Sequence, residues 1–237
     1  MIQVEGIFVG GGAISAPIIG EDFNWTGGDG TYQVLDDGGG NWRIKFLSSG
    51  TFTPLKNMVI DVFLVGGGGG AGSSYCGEGG AGYTTTVRSV VLTANTAYSI
   101  VVGAAGTNGN PSSAGGETTA FTASAAGGKN TSNGTSSSKR PGGAGGSGGA
   151  GYVSPVATTT GGTDGGDGTS SATTGGKGQG TTTREFGEAD GTLYASGGGS
   201  NLSATVANSG NGGRNGITSI APADGIVVIR QHKEVAA

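Results

Sequence analysis

The sequence predicts an all-β scaffold from which glycine-rich segments project, with essentially no α-helix. Three observations predict it. Large apolar residues occur either as alternating runs or as short unbroken runs, the patterns of half-buried and fully buried strands. No window of eleven or more residues keeps an i, i+3, i+4 apolar stripe free of Gly and Pro, so helical signals are missing. Glycine supplies 56 of the 237 residues, gathered in tracts between the apolar runs.

Residues 1–41 form a leader in which short apolar clusters alternate with Gly10 to Gly12, Gly27-Gly28 and Gly38 to Gly40. It reads as short strands or extended arms joined by turns and is too small for an independent domain. From Asn41 onward Trp42, Ile44 and Phe46 alternate with Arg43 and Lys45, and Thr51 to Pro54 follow a Ser-Ser-Gly turn. Met58 to Val65 is the strongest strand, an apolar run interrupted only by Asp61 and ended by Gly66 to Gly70. Tyr83 to Leu92, Tyr98 to Val102, Thr118 to Ala123 and Gly225 to Arg230 are further strands, rich in Val, Ile, Thr and aromatic residues. The two best strands bracket the glycine region, which places the tracts as excursions from a closed base.

The tracts admit two readings. One is a flexible tether, because Gly/Ser/Thr-rich sequence behaves as random coil. The other is polyglycine II, extended helices with three residues per turn and ~3.1 Å rise per residue. Residues 142–151 favour the second: Gly142, Gly143, Gly145, Gly146, Gly148 and Gly149 leave two edges bare, while Ala144, Ser147 and Ala150 share the third. Bare edges let neighbouring main chains approach and hydrogen-bond sideways, satisfying groups that an isolated helix leaves to water. These six glycines are therefore the predicted structural lattice. Collagen is excluded, because the period breaks after about three triplets and proline is scarce.

Twelve basic against sixteen acidic residues leave a net charge of −4, so the chain as a whole offers no footprint for nucleic acid. One cysteine, Cys76, and one histidine, His232, supply no His/Cys set for zinc, and no metal or cofactor is expected. No apolar run reaches the length of a membrane span. The N-terminal residues lack a basic n-region before an apolar stretch, which predicts synthesis in the cytoplasm without a signal peptide.

Gly67, Gly69 and Gly72 match a dinucleotide G-x-G-x-x-G pattern, but the required helix does not follow. Residues 161–168 approach a calcium-binding repeat, yet Thr163-Asp164 breaks its order. Asp36-Asp37 and Glu185 with Glu188 read as hydrated acids, and His232 as a solvated tail residue. Three Thr triplets that suit an ice-binding face are irregularly spaced. No catalytic constellation is predicted, and an enzyme is not expected.

Ser49-Gly50-Thr51-Phe52-Thr53, Ile60 to Val65 running into Gly66 to Gly70, Gly82-Tyr83-Thr84-Thr85, Tyr98 to Gly103 and Asp224 to Arg230 together resemble the glycine-rich domain of phage tail-fibre and tail-tip proteins. The likeness covers about residues 42–230, leaving 1–41 as an attachment or assembly segment and 231–237 as a tail. The resemblance implies a β-sandwich base carrying a bundle of polyglycine II helices. It also implies an adhesin located in the virion tail, which contacts a bacterial surface receptor, protein or glycan, through loops between the polyglycine helices. Other tail proteins are its further partners. The alternative is a purely structural appendage or assembly protein. Homo-oligomers, trimers among them, stay open, although no coiled-coil heptads mark one.

The candidate contact loops are residues 73–76, 129–141, 152–160, 184–194 and 201–208. Aromatic and arginine side chains are favoured anchors, which selects Tyr75, Lys139, Arg140, Tyr152, Arg184 and Phe186. The string Arg184-Glu185-Phe186-Gly187-Glu188 also looks like part of the family pattern, a sign of scaffold.

Overall fold

A computed structural model describes residues 16–73, 75–132, 140–151, 160–169, 175–215 and 219–232. The described residues are all-β apart from a single 3₁₀ turn at Glu185–Gly187. Ten strands form: β1 (Phe23–Trp25), β2 (Tyr32–Gly38), β3 (Asn41–Phe46), β4 (Gly50–Pro54), β5 (Met58–Val65), β6 (Thr84–Leu92), β7 (Tyr98–Val101), β8 (Thr118–Ala120), β9 (Ala123–Ala125) and β10 (Ile226–Gln231). They make two five-stranded antiparallel sheets, ordered β1-β4-β7-β8-β9 and β2-β3-β10-β5-β6.

The facing surfaces of the sheets enclose one core. In β3 the alternation works as read: Trp42, Ile44 and Phe46 turn into it, whereas Arg43 and Lys45 face outward. Phe23 stacks on Phe52 at 5.4 Å between ring centres, and Phe52 meets Phe46 edge-on at 5.6 Å. Each such ring contributes about 1.5–3 kcal/mol when fully buried. The absence of alternation in β5 also has its cause here. Ile60, Val62 and Leu64 enter the core between the sheets, while Phe63 and Val65 enter a second cluster on the outer face of the second sheet.

One sequence expectation changes. Thr118 to Ala123 is not one strand but a hairpin, turned by Phe121 and Thr122 at φ of 48° and 69°. Two consecutive left-handed residues match the twist of a tight hairpin. The short strands read in the leader form as β1 and β2, edge strands of the two sheets held by pairing to β4 and β3.

The fold is polar. At one pole lie residues 16–22, the β4–β5 and β6–β7 turns and the end of β10. Leu55 N–H bonds to Asp22 O, Asn95 N–H to Pro54 O, and His232 N–H to Val59 O. At the other pole β5, β7 and β9 run out into the glycine-rich segments 66–72, 103–109 and 125–131.

These segments pack side by side through main-chain bonds. Gly69 N–H donates to Gly80 O (2.8 Å), Gly80 to Lys129 O (2.9 Å), Lys129 to Ala144 O (2.8 Å) and Gly145 to Lys177 O (2.9 Å), a row through five segments. A strand in a flat sheet has two neighbours. Segment 77–83 instead bonds to 66–72, 125–131, 142–151, 195–199 and 209–215, so the array extends in three dimensions. Side chains cannot enter it: a Cβ built on Gly79 or Gly80 lands on a neighbouring carbonyl, inside the 3.0 Å that real Cβ atoms keep.

Candidate functional site

Where the segments turn back at the far pole, the connections come together. Gly72 and Gly109 form a parallel bridge, and Gly77 lies against Pro141, so the turn carrying Tyr75 sits beside Arg140. Tyr75 is 45% exposed and takes a left-handed φ of 47°. Arg140 is half-buried, its Nε without a partner among the described residues. Lys139 and Tyr152 lie outside the described residues.

Where tracts are interrupted, polar side chains replace the missing main-chain bonds. Thr131 Oγ1 accepts from Gly72 N–H (3.1 Å) and donates to Gly77 O (2.6 Å). Asn108 Oδ1 accepts from Ala71 N–H (2.8 Å), and its Nδ2 donates to Arg214 O (3.0 Å) and Ile220 O (2.9 Å). Asn108→Ala strands main-chain groups of three segments, and its unfolding free energy is expected to fall by about 2–4 kcal/mol. A denaturant midpoint within error of the parent, measured by equilibrium unfolding, contradicts this assignment.

Glu78 is an ionisable group set inside the array. Burial pushes its carboxyl up to about 7, against the opposing influence of the Asn215 N–H, 2.6 Å from Oε2, and of Arg214.

Arg184 and Phe186 lie elsewhere. The segment carrying them folds over the outer face of the second sheet as a clasp. Phe186 is 2% exposed, packed on Phe63 with the Arg230 guanidinium 4.1 Å from its ring centre. It is a core residue, which corrects its choice as a receptor contact. Arg184 bonds to Asp164 Oδ2 (3.2 Å) and Gly191 O (3.1 Å), closing the clasp on itself.

Beneath the clasp runs a row of charges. Register places Arg43 opposite Arg230 and Arg230 opposite Asp61. Glu185 pairs with Arg43 (2.6 Å) and lies near Lys45 (3.7 Å), and Glu188 pairs with Arg230 (2.7 Å). Arg88 reaches both Asp61 (3.1 Å) and Phe186 O (2.9 Å). A cleft of about 260 Å³ lies alongside, lined by Arg43, Glu185, Glu188, Asp190 and Arg230 among others. Its two guanidinium groups are already paired with carboxylates.

Sequence reading missed Asp61 and His232. His232 is no solvated tail residue: its Nδ1 lies 2.6 Å from Asp61 Oδ1, and Ser89 Oγ lies 3.0 Å from Nε2. The order Ser–His–Asp invites comparison with a hydrolase triad. The geometry differs, because Ser89 Oγ is also 3.4 Å from Nδ1 and therefore lies over the ring, off the in-plane axis of either nitrogen. Asp61 is also engaged by two arginines, so the group reads as a crosslink between β5, β6 and β10. A signal was available: one acid inside the most apolar strand must find buried partners, since an unpaired buried charge is too costly to keep. Burial raises the Asp61 carboxyl, but hydrogen bonds from His232, Ser89 N–H and Arg230 outweigh it and hold it below the usual carboxylate range.

The far-pole array, the clasp and the strands that bound them are also what comparison with known proteins detects. A family model described as a glycine-rich domain matches residues 47–230, more than half of the chain. The chain belongs to the glycine-rich domain family. No curated protein matches it. The glycine-rich domain begins just past β3, so β1–β3 complete its two sheets from outside the matched stretch. No helix among the described residues of the glycine-rich domain chain is long and apolar enough to cross a membrane.

Proposed function

We propose that this glycine-rich domain protein is a component of a phage tail fibre or tail tip, and that its far-pole connections bind a receptor on the bacterial surface. In this reading the laterally bonded segments are polyglycine II helices, the leader of residues 1–41 is the attachment segment, and Tyr75 and Arg140 belong to the contact surface.

One observation supports the reading above the others: the polarity of the fold. Residues 16–22 and His232 lie at the sandwich pole, and the connections carrying Tyr75 and Arg140 lie at the opposite one. A platform held by main-chain bonds places few demands on the side chains of its connecting loops, so they are free to vary in composition. The structural-appendage alternative requires no such separation of attachment from exposed loops.

Immobilised protein is expected to retain cells of particular strains from a bacterial panel, and soluble protein to block phage adsorption to those strains. Tyr75→Ala should weaken retention by about tenfold, the loss of one aromatic anchor, with an unchanged melting temperature. Retention of no strain, by protein that is folded and incorporated into virions, favours the purely structural role.

A further inference from the structure

We propose that the far-pole surface recognises an acidic glycan, a polysaccharide bearing carboxylate or phosphate groups, and that Arg140 is the residue that takes the anionic group. This inference rests on the receptor-contact reading above and names the class of receptor.

Arg140 stands apart from the other arginines. Arg43 pairs with Asp37 and Glu185, Arg88 with Asp61, Arg184 with Asp164 and Arg230 with Glu188, while Arg214 donates to Leu202 O (3.1 Å). Among the described residues no carboxylate pairs with Arg140, and its Nε is buried without an acceptor. A buried donor left unsatisfied is costly, so native structures rarely keep one without a use. What Arg140 lacks is an acceptor, and the N–H groups of one guanidinium form a fork that fits two oxygens of a carboxylate or phosphate. The side chain is half-buried, so a turn about its own bonds presents that fork at the surface. Its surroundings are fixed in advance. Gly77 lies against Pro141, and Thr131 Oγ1 holds both Gly72 N–H and Gly77 O, which ties the two ends of the turn carrying Tyr75 beside Arg140. A surface ordered before binding loses less entropy when the ligand arrives.

Charge is distributed to the same end. The chain carries a net charge of −4, yet residues 118–163 contain Lys129, Lys139 and Arg140 and no acid, residues 191–223 contain Arg214 and no acid, and residues 66–77 are uncharged. The nearby acid, Glu78, is engaged by Asn215 N–H (2.6 Å). An anionic polymer therefore meets no repelling carboxylate on the stretches that flank Arg140, although the molecule as a whole repels it. The exposed side chains there favour a glycan over a protein. Ser73, Asn130 and Ser132 offer hydroxyl and amide groups suited to sugar hydroxyls, and Tyr75 offers one exposed ring on which the C–H face of a sugar can lie. A protein partner is held chiefly by several buried aromatic and apolar anchors, which this corner does not present among the described residues.

Binding of the full chain to immobilised polygalacturonate, polyphosphate and neutral dextran tests the proposal. At least one polyanion should bind and dextran should not, and the polymer that binds tells carboxylate from phosphate. Arg140→Gln should weaken that binding by about tenfold or more with an unchanged melting temperature, because the parent side chain makes no ion pair that the variant would lose. The Arg140 Nε–H resonance should shift when the bound polymer is added to the parent protein, a readout that needs no variant. Binding of neither polyanion, equal binding of dextran, or undiminished binding by Arg140→Gln overturns the proposal. On cells, retention that is competed by the same polyanion and lost after periodate oxidation of surface sugars supports the glycan. Retention lost after protease treatment but not after periodate identifies a protein receptor and overturns it, while the adhesin reading stands. Polyanion binding through Arg140 with retention of no strain counts against the adhesin reading and upholds the anion site.

Discussion

Gly148→Val is expected to dismantle the glycine array. A Cβ at this position falls on the carbonyl oxygen of Gly176, far inside the 3.0 Å limit, and both atoms belong to main chain that cannot rotate away. Relief requires segments 142–151 and 175–180 to separate. That breaks Gly176 N–H to Gly149 O (2.8 Å) and Gly145 N–H to Lys177 O (2.9 Å), and strains Gly148 N–H to Gly166 O (3.0 Å). Buried main-chain groups left unpaired cost about 1–3 kcal/mol each, so the total loss should exceed about 4 kcal/mol. Thermal unfolding checks this, with a fall in Tm of about 10 °C or more expected. Exchange protection should vanish first from the array while β5 and β10 keep theirs. A change inside about 0.5 kcal/mol is what a tether predicts, and it sinks the lattice.

The second large effect belongs to Asp61. Its carboxylate is fully buried and accepts from His232, Ser89 N–H, Arg88 and Arg230. Asp61→Ala removes the acceptor and leaves Arg230, itself 6% exposed, with Glu188 alone. Breaking a buried ion pair by deleting one partner costs about 3–5 kcal/mol, and equilibrium denaturation should show a loss of that order. Arg88 holds Phe186 O and Arg230 covers the Phe186 ring, so the clasp should loosen and protease should reach residues 184–194 early. The pH dependence has a definite sign. A carboxyl held below its ordinary value adds stability above the unfolded pKa and loses it as pH falls through the folded one. The acid limb of the stability curve should therefore be shallower in Asp61→Asn. A parallel acid limb shows that Asp61 is not the group titrating there.

Glu78 and Asp61 make an instructive pair of acids. Asp61 is surrounded by donors and stays ionised, whereas Glu78 sits among bare main chain with one N–H and pays for its burial with a raised pKa. Their sequence surroundings, an apolar strand and a glycine tract, did not separate these outcomes. The donors of Asp61 come from residues 27, 169 and 171 positions away.

Local pattern alone identified β3, β5, β6, β7 and β10, because alternation and unbroken apolar runs report directly which faces of a strand are buried. It also picked out the period-three glycines, since a Cβ on a packed edge is excluded whatever the partner. Local pattern did not reveal which partner each segment takes. It placed residues 184–194 among the surface loops, because glycine, charge and isolated aromatics look alike in a loop and in a clasp. Burial of Phe186 depends on Phe63, Arg88 and Arg230, which reach one sheet face only when β5, β6 and β10 pair. In the leader, short strands could be read but not their partners: β1 and β2 gain their bonds from β4 and β3, which only assembly brings alongside. Periodicity is a property of neighbours along the chain, whereas pairing, burial and charge compensation arise between residues that folding alone brings together.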